Sequence, residues 1–279
     1  MRPPLTRRRL LALAGAALPV GGCLGSSSDP ATGTDRSATT GGSTADADGP
    51  LTRRAGESHA TAEGWSLTVG NVAVRHGIVQ FGTVHPDPRW ESGSQFVVAD
   101  ATVEGDGAPD PADLRLYVRT DALDRSDRYF VRAETNEDGR RQRFGFPVPT
   151  DPAPARAWVV WRPEEGPAVR WSLDEGSVRA LGSAPEFVVE SFETPSTAVP
   201  DDEFEATLGV RNEGERDGTF LAEVGNAAVS DQPEVELDVP AGGTTTGTAS
   251  VDAYFGDRRE MEVVLRWEDG TERRTVRRA

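Results

Sequence analysis

The chain has 279 residues, a formal net charge of −16 and a hydrophobic content of 36%, and all thirty of its basic residues are arginine. The excess of negative charge argues against nucleic acid and anionic lipid as partners, because both repel an acidic protein. The single cysteine, Cys23, excludes an internal disulfide and any metal site built only from thiolates.

The N-terminus has the pattern of an export signal, in which charged residues precede a short apolar stretch and a small-residue cleavage site. Arg7 and Arg8 lie in Thr-Arg-Arg-x-Leu-Leu, which resembles the twin-arginine export signal. Val20-Gly21-Gly22-Cys23 resembles the lipobox, whose cysteine receives a lipid. The resemblance implies a signal peptide over residues 1–22 and a mature chain anchored through Cys23 to the outer face of the cytoplasmic membrane.

An uncleaved membrane helix is the alternative for this segment. Its apolar run is much shorter than the ~20 residues that span a bilayer, and glycines interrupt it, so the signal peptide is favoured. Cleavage would remove four arginines and no acid, which takes the net charge from −16 to −20. Two lipid chains on Cys23 would anchor the protein stably, whereas one acyl chain holds a protein only marginally.

Residues 23–62 are predicted to be the lipidated cysteine followed by a disordered spacer. From residue 24 onward the composition is mainly Ser, Thr, Gly, Asp and Ala without aromatic residues, which cannot bury enough apolar surface to fold. Such a spacer would lift the folded part away from the lipid. Its Ser and Thr residues could accept glycans, and an undecorated linker is equally compatible with the sequence.

Residues 63–182 are predicted to form an antiparallel β-sandwich. Short runs rich in Val, Phe, Trp and Thr are separated by Gly, Pro and Asp clusters at intervals of about 8–12 residues, which is typical of a sandwich or barrel. Predicted strands cover residues 65–69, 77–81, 95–103, 114–119, 128–133, 143–148, 157–161 and 169–173. Two segments rich in Pro and Asp, 85–90 and 105–113, are predicted to be loops. No sustained helical periodicity is present.

Residues 183–279 are predicted to form a second β-sandwich, so the fold class is all-β with two tandem Ig-like sandwiches. Segments 204–211, 234–239 and 261–268 alternate apolar and polar residues, as half-buried strands do. The sequence Glu-Asp-Gly-Thr at 268–271 predicts a two-residue hairpin with a type I′ turn. Another turn is predicted at Asn212-Glu213-Gly214.

The two blocks share landmarks that suggest distant repeats. Each has a strand led by Phe, a Val-Pro pair (148–149 and 239–240) and a late strand that contains a tryptophan, Trp161 or Trp267. The spacings between these landmarks differ.

Two family resemblances follow from these patterns. Residues 204–214, with Phe-x-Ala-x-Leu-x-Val-x-Asn-x-Gly, and the Val-Pro-Ala-Gly run at 239–242 resemble cell-adhesion-related Ig-like domains, which serve as spacers, stalks or adhesive modules. Residues 95–103 and 144–149 resemble the telokin-like Ig domains of secreted lipoproteins, although Glu104-Gly105-Asp106 departs from the turn usual there. The acidic, lysine-free composition with a twin-arginine signal looks like that of a haloarchaeal surface protein. None of these resemblances implies a catalytic constellation.

Catalytic and metal-binding motifs are weak in this sequence. His59, His76 and His85 lack the short spacing that places metal ligands on one face, although His76, His85 and Asp87 could meet if their loop folded back. No Gly-x-Ser-x-Gly elbow, phosphate-binding loop or calcium loop is present. A carboxylate pair cannot be recognised among 46 acids. We therefore expect no enzyme activity, no metal and no cofactor.

The tryptophans are the candidate ligand-binding residues, with Trp90, Trp158 and Trp161 singled out. Trp158 and Trp161 have opposite parity on one predicted strand, so one should face the core and the other the outside of the sheet. An exposed tryptophan beside arginines such as Arg156, Arg162 or Arg170 could bind a ligand or partner. The alternative is that arginine stems only shield a partly buried indole.

The sequence as a whole predicts a non-catalytic, lipid-anchored protein of the cell surface. It would act as a binding, adhesive or structural module whose partner is an envelope protein or glycan, in an oligomeric state that the sequence does not specify. The alternative is an accessory lipoprotein that binds a solute or metal for a membrane transporter. A deep pocket between the blocks, lined by Trp90 or Trp161, would favour that alternative.

Overall fold

The computed structural model describes residues 49–81, 86–125, 127–131, 139–229 and 232–279. The predicted signal peptide, with Arg7 and Arg8, and the predicted lipidation site Cys23 lie outside the described residues, as does His85. All described residues belong to one compact unit of the chain.

The described residues are nearly all β-structure, arranged in five sheets. The first half contains β1 Leu51–Arg54, β2 Ser58–Ala60, β3 Ser66–Arg75, β4 Gly77–Phe81, β5 Pro86–Trp90, β6 Ser94–Glu104, β7 Leu116–Thr120, β8 Asp124–Arg125, β9 Tyr129–Phe130, β10 Arg141–Pro149, β11 Ala157–Trp161, β12 Val169–Ser172 and helix α1 Glu175–Leu181. The second half contains β13 Phe187–Glu193, β14 Thr197–Ala198, β15 Glu203–Asn212, β16 Gly218–Asn226, β17 Glu234–Val239, β18 Thr244–Asp252, β19 Glu260–Trp267 and β20 Gly270–Arg278.

The first half has the strand order of an immunoglobulin sandwich. One sheet contains β3-β6-β10-β9, which is the order A-B-E-D, and the other contains β12-β11-β7-β8, which is the order G-F-C-C′. Neighbours within both sets are antiparallel. Two short strands extend the sheets, because β2 pairs with β3 and β1 runs parallel to β12.

The second half repeats this order. Its smaller sheet is β13-β15-β18, equivalent to A-B-E, and its larger sheet contains β20-β19-β16-β17, equivalent to G-F-C-C′. As in the first half, a short strand, β14, runs parallel to the G-equivalent strand. Trp161 and Trp267 both end F-equivalent strands, as repeats require, but the two Val-Pro pairs end different strands, β10 and β17. The prediction of two independent tandem domains stays a prediction, since the described residues form one compact unit.

Each half encloses its own hydrophobic core. The first core contains the fully buried Trp171, Phe144 and Phe146, and the second contains Phe192, Phe220 and Leu265. The alternation predicted for β15, β17 and β19 is confirmed, because the apolar positions of these strands pack into or against the second core. Nearly all sequence-predicted strands are present, and the all-β fold class is confirmed.

Three local predictions are wrong. The spacer does not extend to residue 62, because β1 and β2 already pair with sandwich strands from residue 51 onward. Residues 86–90 form strand β5 rather than a loop, in a hairpin with β4. The predicted hairpin has a two-residue loop, but the loop is Glu268-Asp269 instead of Asp269-Gly270, and neither of its residues has the positive φ that a type I′ turn requires.

Two short helical segments also appear. Asp174 caps helix α1 by accepting a hydrogen bond from the Ser177 backbone N–H at 2.9 Å, and Pro111–Asp113 form a 3-10 turn. No helix in the described ranges is long and apolar enough to cross a membrane.

The hairpin β4–β5 adds a third layer outside the first sandwich. Ile78 of β4 packs with Phe96, Val98 and Val131 in a small separate core on the outer face of the A-B-E-D sheet. Gly77 begins this hairpin in close contact with Trp90, since a Cβ on Gly77 would lie 2.9 Å from the indole. The hairpin therefore gives the sheet a second buried face.

Asp100 is the buried charge on this outer face. Asn71 donates to it at 2.8 Å and Arg143 at 2.7 Å, and Arg141 donates a further hydrogen bond. Burial alone would raise the pKa of Asp100, but hydrogen bonds from Arg143, Asn71 and Arg141 lower it on balance. The side chain is 3% exposed, so its carboxylate depends on these donors instead of water.

The two halves are joined through Asn212, Arg216 and Gln95. Asn212 is fully buried at the end of β15, and its amide donates to the Arg216 carbonyl at 2.7 Å while its oxygen accepts the Gly214 N–H at 3.0 Å. This predicted turn is confirmed. It directs the guanidinium of Arg216 to the Ser183 carbonyl at 2.7 Å and to the side-chain oxygen of Gln95.

Gln95 completes the connection from the first half. It is fully buried at the end of the first core, and its amide donates to the carbonyls of Ala180 and Leu181 at 2.6 and 3.1 Å. Burial lowers the pKa of Arg216, and the nearby charge of Asp217 opposes that shift. The link is therefore a desolvated hydrogen-bond network between the halves.

Peripheral contacts surround this network. Arg75 donates to the Thr219 hydroxyl at 2.7 Å, and Thr219 donates to Asp238 at 2.7 Å. His76 faces the carboxylate of Glu268 and stacks edge-on against a phenylalanine of β13 with ring centroids 5.6 Å apart. The halves thus meet over side chains from several strands as well as the linker.

We predict that Asp100→Asn destabilises the fold by on the order of 3 kcal/mol at pH 7, because it removes one member of a buried ion network. The folded-state pKa of Asp100 is lowered from 3.8, so its contribution is fully present above pH 3.8 and is lost as the pH falls through the lower folded value. Urea unfolding at constant salt should show the difference from wild type shrinking below about pH 4.

The matched control is Asp124→Asn, which breaks an exposed pair with Arg119. It should cost less than about 1 kcal/mol. An Asp100→Asn loss that stays the same at every pH would contradict an ionic role and indicate a packing role instead.

We further predict that the wild type unfolds in one transition and that Arg216→Ala separates the halves. Removal of the guanidinium leaves the Gln95 oxygen and the Ser183 carbonyl without their donor, at a cost of roughly 1–3 kcal/mol. Urea unfolding followed by tryptophan fluorescence and by limited proteolysis between the halves would show this. The control Arg277→Ala removes an exposed pair with Glu260 and should keep one transition. Two transitions in the wild type would show that the halves are independent.

Candidate functional site

The three singled-out tryptophans lie in three different places. Trp90 belongs to the junction of the halves, Trp161 to one end of the first sandwich, and Trp158 to the outer face of the sheet β1-β12-β11-β7-β8. The structure therefore does not bring them together in one site.

Trp90 is packed at the junction. It surrounds, with Phe187, Trp267 and His76, a gap of only about 10 Å³. A gap of this size holds at most one water molecule. The deep pocket between the halves that would favour a solute-binding function does not form around Trp90.

Trp161 lies in an open cleft of about 850 Å³, which we call the end cleft. Its indole is 8% exposed and meets the 5% exposed Trp65 edge-on, with ring centroids 5.4 Å apart. The Trp65 N–H donates to Glu63 at 2.7 Å. Both rings are thus core residues whose edges reach the cleft.

The charge of the end cleft is predominantly negative. Its lining carboxylates are Glu63, Asp113, Glu164 and Glu165, against the two arginines Arg115 and Arg162. His59 lies there too, beside Trp161 at 6.0 Å between ring centroids. Burial, and then the charge of Arg53, lower the pKa of His59, so its imidazole is neutral near pH 7.

Trp158 lies in a groove of about 540 Å³ between the outer face of the sheet and helix α1, which we call the arginine groove. The groove is lined by Thr52, Ala155, Arg156, Ala157, Trp158, Arg170, Ser172, Leu173, Glu175, Val178 and Arg179. Three arginines face one carboxylate here, although the chain as a whole has a net charge of −16. The groove is therefore a local reversal of the charge of the molecule.

The alternation of side chains along β11 places Trp158 on the floor of the groove. Ala157, Val159 and Trp161 point into the first core, so Trp158 points outward, as the opposite parity predicted. Its neighbour across β12 is Ser172, whose small side chain leaves the indole accessible from that side. The partly buried indole is thus held rigidly by the sheet while one part of it borders the groove.

Arg170 is fixed against this indole. Its guanidinium carbon lies 5.2 Å from the centre of the Trp158 ring, and its Nε donates to the Thr52 hydroxyl at 2.8 Å. A cation over an indole face at this distance is attracted by the ring quadrupole. The sequence left two interpretations open, a shielded indole and a ligand-binding surface, and both apply to this pair. The arginine covers the ring and also places a positive charge in the groove.

Arg156 and Arg179 supply the remaining positive charge. Both are exposed, and within the described ranges neither side chain makes an ion pair or hydrogen bond. Arg156 precedes β11, and Arg179 lies in the last turn of helix α1, where a cation also complements the helix dipole. Their donors therefore remain available to an anion.

A second arginine–aromatic pair continues the same outer face. The Arg162 guanidinium lies 5.2 Å from the ring centre of Tyr117 and donates to its hydroxyl at 3.1 Å. Arg119, the direct neighbour of Trp158 on β7, is neutralised by Asp124 at 2.6 Å. Arg119 therefore adds no net charge to this face.

Sequence reasoning named Trp158, Arg156 and Arg170 but missed Thr52 and Arg179. Thr52 lies in the segment predicted to be spacer, and Arg179 lies in the helix that periodicity did not show. The available signal for that helix was Asp174, a residue type favoured at the N-cap, which accepts a hydrogen bond from the backbone of Ser177.

Chemically, the groove offers guanidinium donors, hydroxyl groups and an indole. Guanidinium groups bind carboxylate, sulfate and phosphate in a two-pronged geometry, so this set of groups suits a planar or tetrahedral anion. Among the residues that the structure describes, no three His, Cys, Asp or Glu side chains gather closely enough to hold a metal ion.

No family model and no curated protein matches this chain. Among solved structures, a β-glucosidase from Listeria innocua in complex with isofagomine matches with a TM-score of 0.26 and 13% identity, over 34% of this chain and 16% of that chain. A mutant β-glucosidase from the same organism, in complex with laminaribiose, gives 0.27 and 13%, over 35% and 16%. An uncharacterised β-sandwich protein from Clostridium difficile 630 gives 0.32 and 12%, over 46% and 96%. Likenesses this distant carry no argument about function.

Proposed function

We propose that this chain is a non-catalytic, lipid-anchored protein of the cell surface that binds an anionic envelope component through the arginine groove. The observation that carries the proposal is the set of three arginines around Trp158 on an otherwise acidic chain. Because the chain as a whole is acidic, a local excess of arginine in a concave site favours an anion-binding function.

Several arginines outside the groove are already paired with acids. Arg143 is bound to buried Asp100, and Arg211 and Arg273 pair with glutamates. Arg156 and Arg179 have no such partner in the described parts of the chain. Their guanidinium groups lose no internal ion pair when they bind an external anion.

The junction supports a surface role. Gln95 and Arg216 hold the two halves in a fixed relation through buried hydrogen bonds. A junction of this kind keeps the binding groove in one orientation relative to the second half. The proposal therefore combines the binding and structural roles.

A second candidate, a solute-binding accessory lipoprotein, is favoured by one observation. The end cleft has a volume of about 850 Å³, within the roughly 300–1,000 Å³ range of small-molecule sites. The arginine groove is preferred because its Arg156 and Arg179 side chains have no partner among the described residues, whereas Trp65 in the end cleft is already bonded to Glu63.

We predict that the protein isolated from its native host lacks residues 1–22 and carries a lipid-sized mass increment on Cys23. Intact mass and membrane partitioning of wild type and Cys23→Ser test this. The wild type should sediment with membranes, and Cys23→Ser should be released, because a lipid anchor supplies the membrane affinity. A Leu24→Ala variant, which keeps the cysteine, is the control and should stay bound. An unlipidated, uncut wild type would contradict the anchoring.

We also predict that the full chain binds at least one of two short anionic oligomers, oligoglutamate or oligogalacturonate, and that Arg156→Gln/Arg179→Gln reduces this binding at least tenfold. A tenfold loss corresponds to about 1.4 kcal/mol, which is less than two charge-assisted hydrogen bonds can contribute. Biolayer interferometry at fixed salt measures the binding of the wild type and of the variant. The control Arg258→Gln/Arg259→Gln removes the same charge from exposed arginines of the second half and should retain binding. Binding of neither oligomer would refute the groove as an anion site.

A further inference from the structure

We infer that the ligand of the arginine groove is an acidic oligosaccharide, in which carboxylate or sulfate groups are carried on sugar rings. This inference rests on the proposed function, since it specifies the chemical class that the same groove binds. It is carried by the backbone pairing of the groove floor, by its mixture of apolar and hydroxyl groups, and by the placement of its arginines.

The floor of the groove is closed to peptide strands. An extended peptide gains affinity by adding backbone hydrogen bonds to a free sheet edge. Strands β11 and β12 form the floor, and each is already paired on both sides, β11 with β7 and β12, and β12 with β11 and β1. An acidic peptide lying across β11 and β12 would therefore find no free backbone groups on these two strands, at a free-energy cost.

A sugar ring has the surfaces that the groove offers. Its C–H face can pack on an indole, because the positive edge of C–H groups meets the negative face of the ring. Trp158 provides the indole, one face of which is covered by Arg170, and the partly buried Val178 is a further apolar group at the groove. The hydroxyls of Thr52 and Ser172 lie among these groups, where sugar hydroxyls need hydrogen-bond partners.

The arginines select an acidic sugar over a neutral one. Arg170 is held over Trp158, so its charge lies beside the apolar platform, and Arg156 and Arg179 stand unpaired at the groove. Each guanidinium can bind a carboxylate or sulfate with two parallel hydrogen bonds. The groove volume of about 540 Å³ lies in the range of sites that enclose small ligands, and this size suits a short oligosaccharide.

Nucleic acid is another polyanion that could fit these groups, because its bases could stack on the indole and its phosphates could bind the arginines. The net charge of −16 repels a long polyanion over the whole surface, whereas a short oligosaccharide is confined to the groove. The acidic oligosaccharide is therefore the ligand class that fits both the local and the global charge.

The test is isothermal titration of the full chain with four ligands of matched length: oligogalacturonate, a sulfated oligosaccharide, neutral oligogalactose and oligoglutamate. We expect at least one acidic oligosaccharide to bind at least tenfold more tightly than both the neutral oligosaccharide and oligoglutamate. Arg156→Gln/Arg179→Gln should weaken this binding at least tenfold. Glu175→Gln, which removes the only lining carboxylate, should strengthen it about threefold, because a repulsive charge is lost.

Each contrary outcome has a distinct meaning. Tighter binding of oligoglutamate than of either acidic oligosaccharide would overturn the inference and leave the proposed anion-binding function standing. Equal binding of acidic and neutral sugars would overturn the selecting role of the arginines. Binding of none of the four would refute both the inference and the proposed function. An equal loss in the control Arg258→Gln/Arg259→Gln would show that general charge, not the groove, determines binding.

Discussion

The fixed relation between the two halves depends on the buried amide of Asn212. Its side chain holds the turn after β15, and this turn carries Arg216 to Gln95 across the junction. Gln95 lies on the core side of β6 at the end of the first core, so the junction is continuous with that core. Because Asn212 and Gln95 are buried and Arg216 is partly buried, the loss of one partner would leave the next without a hydrogen bond. The Asn-x-Gly element therefore positions a second sandwich as well as ending a strand.

The sequence was informative wherever a strand has one buried face. Strands β4 and β11 have the predicted bounds, because their apolar residues must enter a core. Strand β1 was missed for the opposite reason. Its side chains are almost all exposed, and it is held by backbone pairing to β12, which leaves no apolar period in the sequence. Strand β5 was hidden by Pro86 and Pro88, which are tolerated because β5 pairs only with β4 and is an edge strand.

The candidate site was predictable only in part. Parity alone separates Trp158 from Trp161, and the structure places them on opposite sides of one sheet. The arginine groove, however, is assembled from β1, the β11–β12 pair and helix α1, and no spacing in the sequence links Thr52 to Arg179. Their proximity follows from the parallel pairing of β1 with β12, a tertiary contact that local patterns do not encode. The composition gives the net charge of the chain, but it does not show where on the surface the local charge is positive.

The net charge of the molecule acts on an anion over a long distance, whereas the arginines of the groove act on it only at contact. This difference determines how salt affects anion binding at the groove. The net charge of −16 repels an anion through long-range fields, whereas the guanidinium groups attract it only on contact. At an ionic strength of 1 M the Debye length falls to about 3 Å, so the long-range repulsion is screened while hydrogen bonds and stacking at contact distance persist. Concentrated salt therefore weakens the repulsion by the net charge more than it weakens the contacts with the groove. An acidic body with a small arginine groove is suited to bind anions in such a medium, where a broadly basic surface would lose most of its attraction.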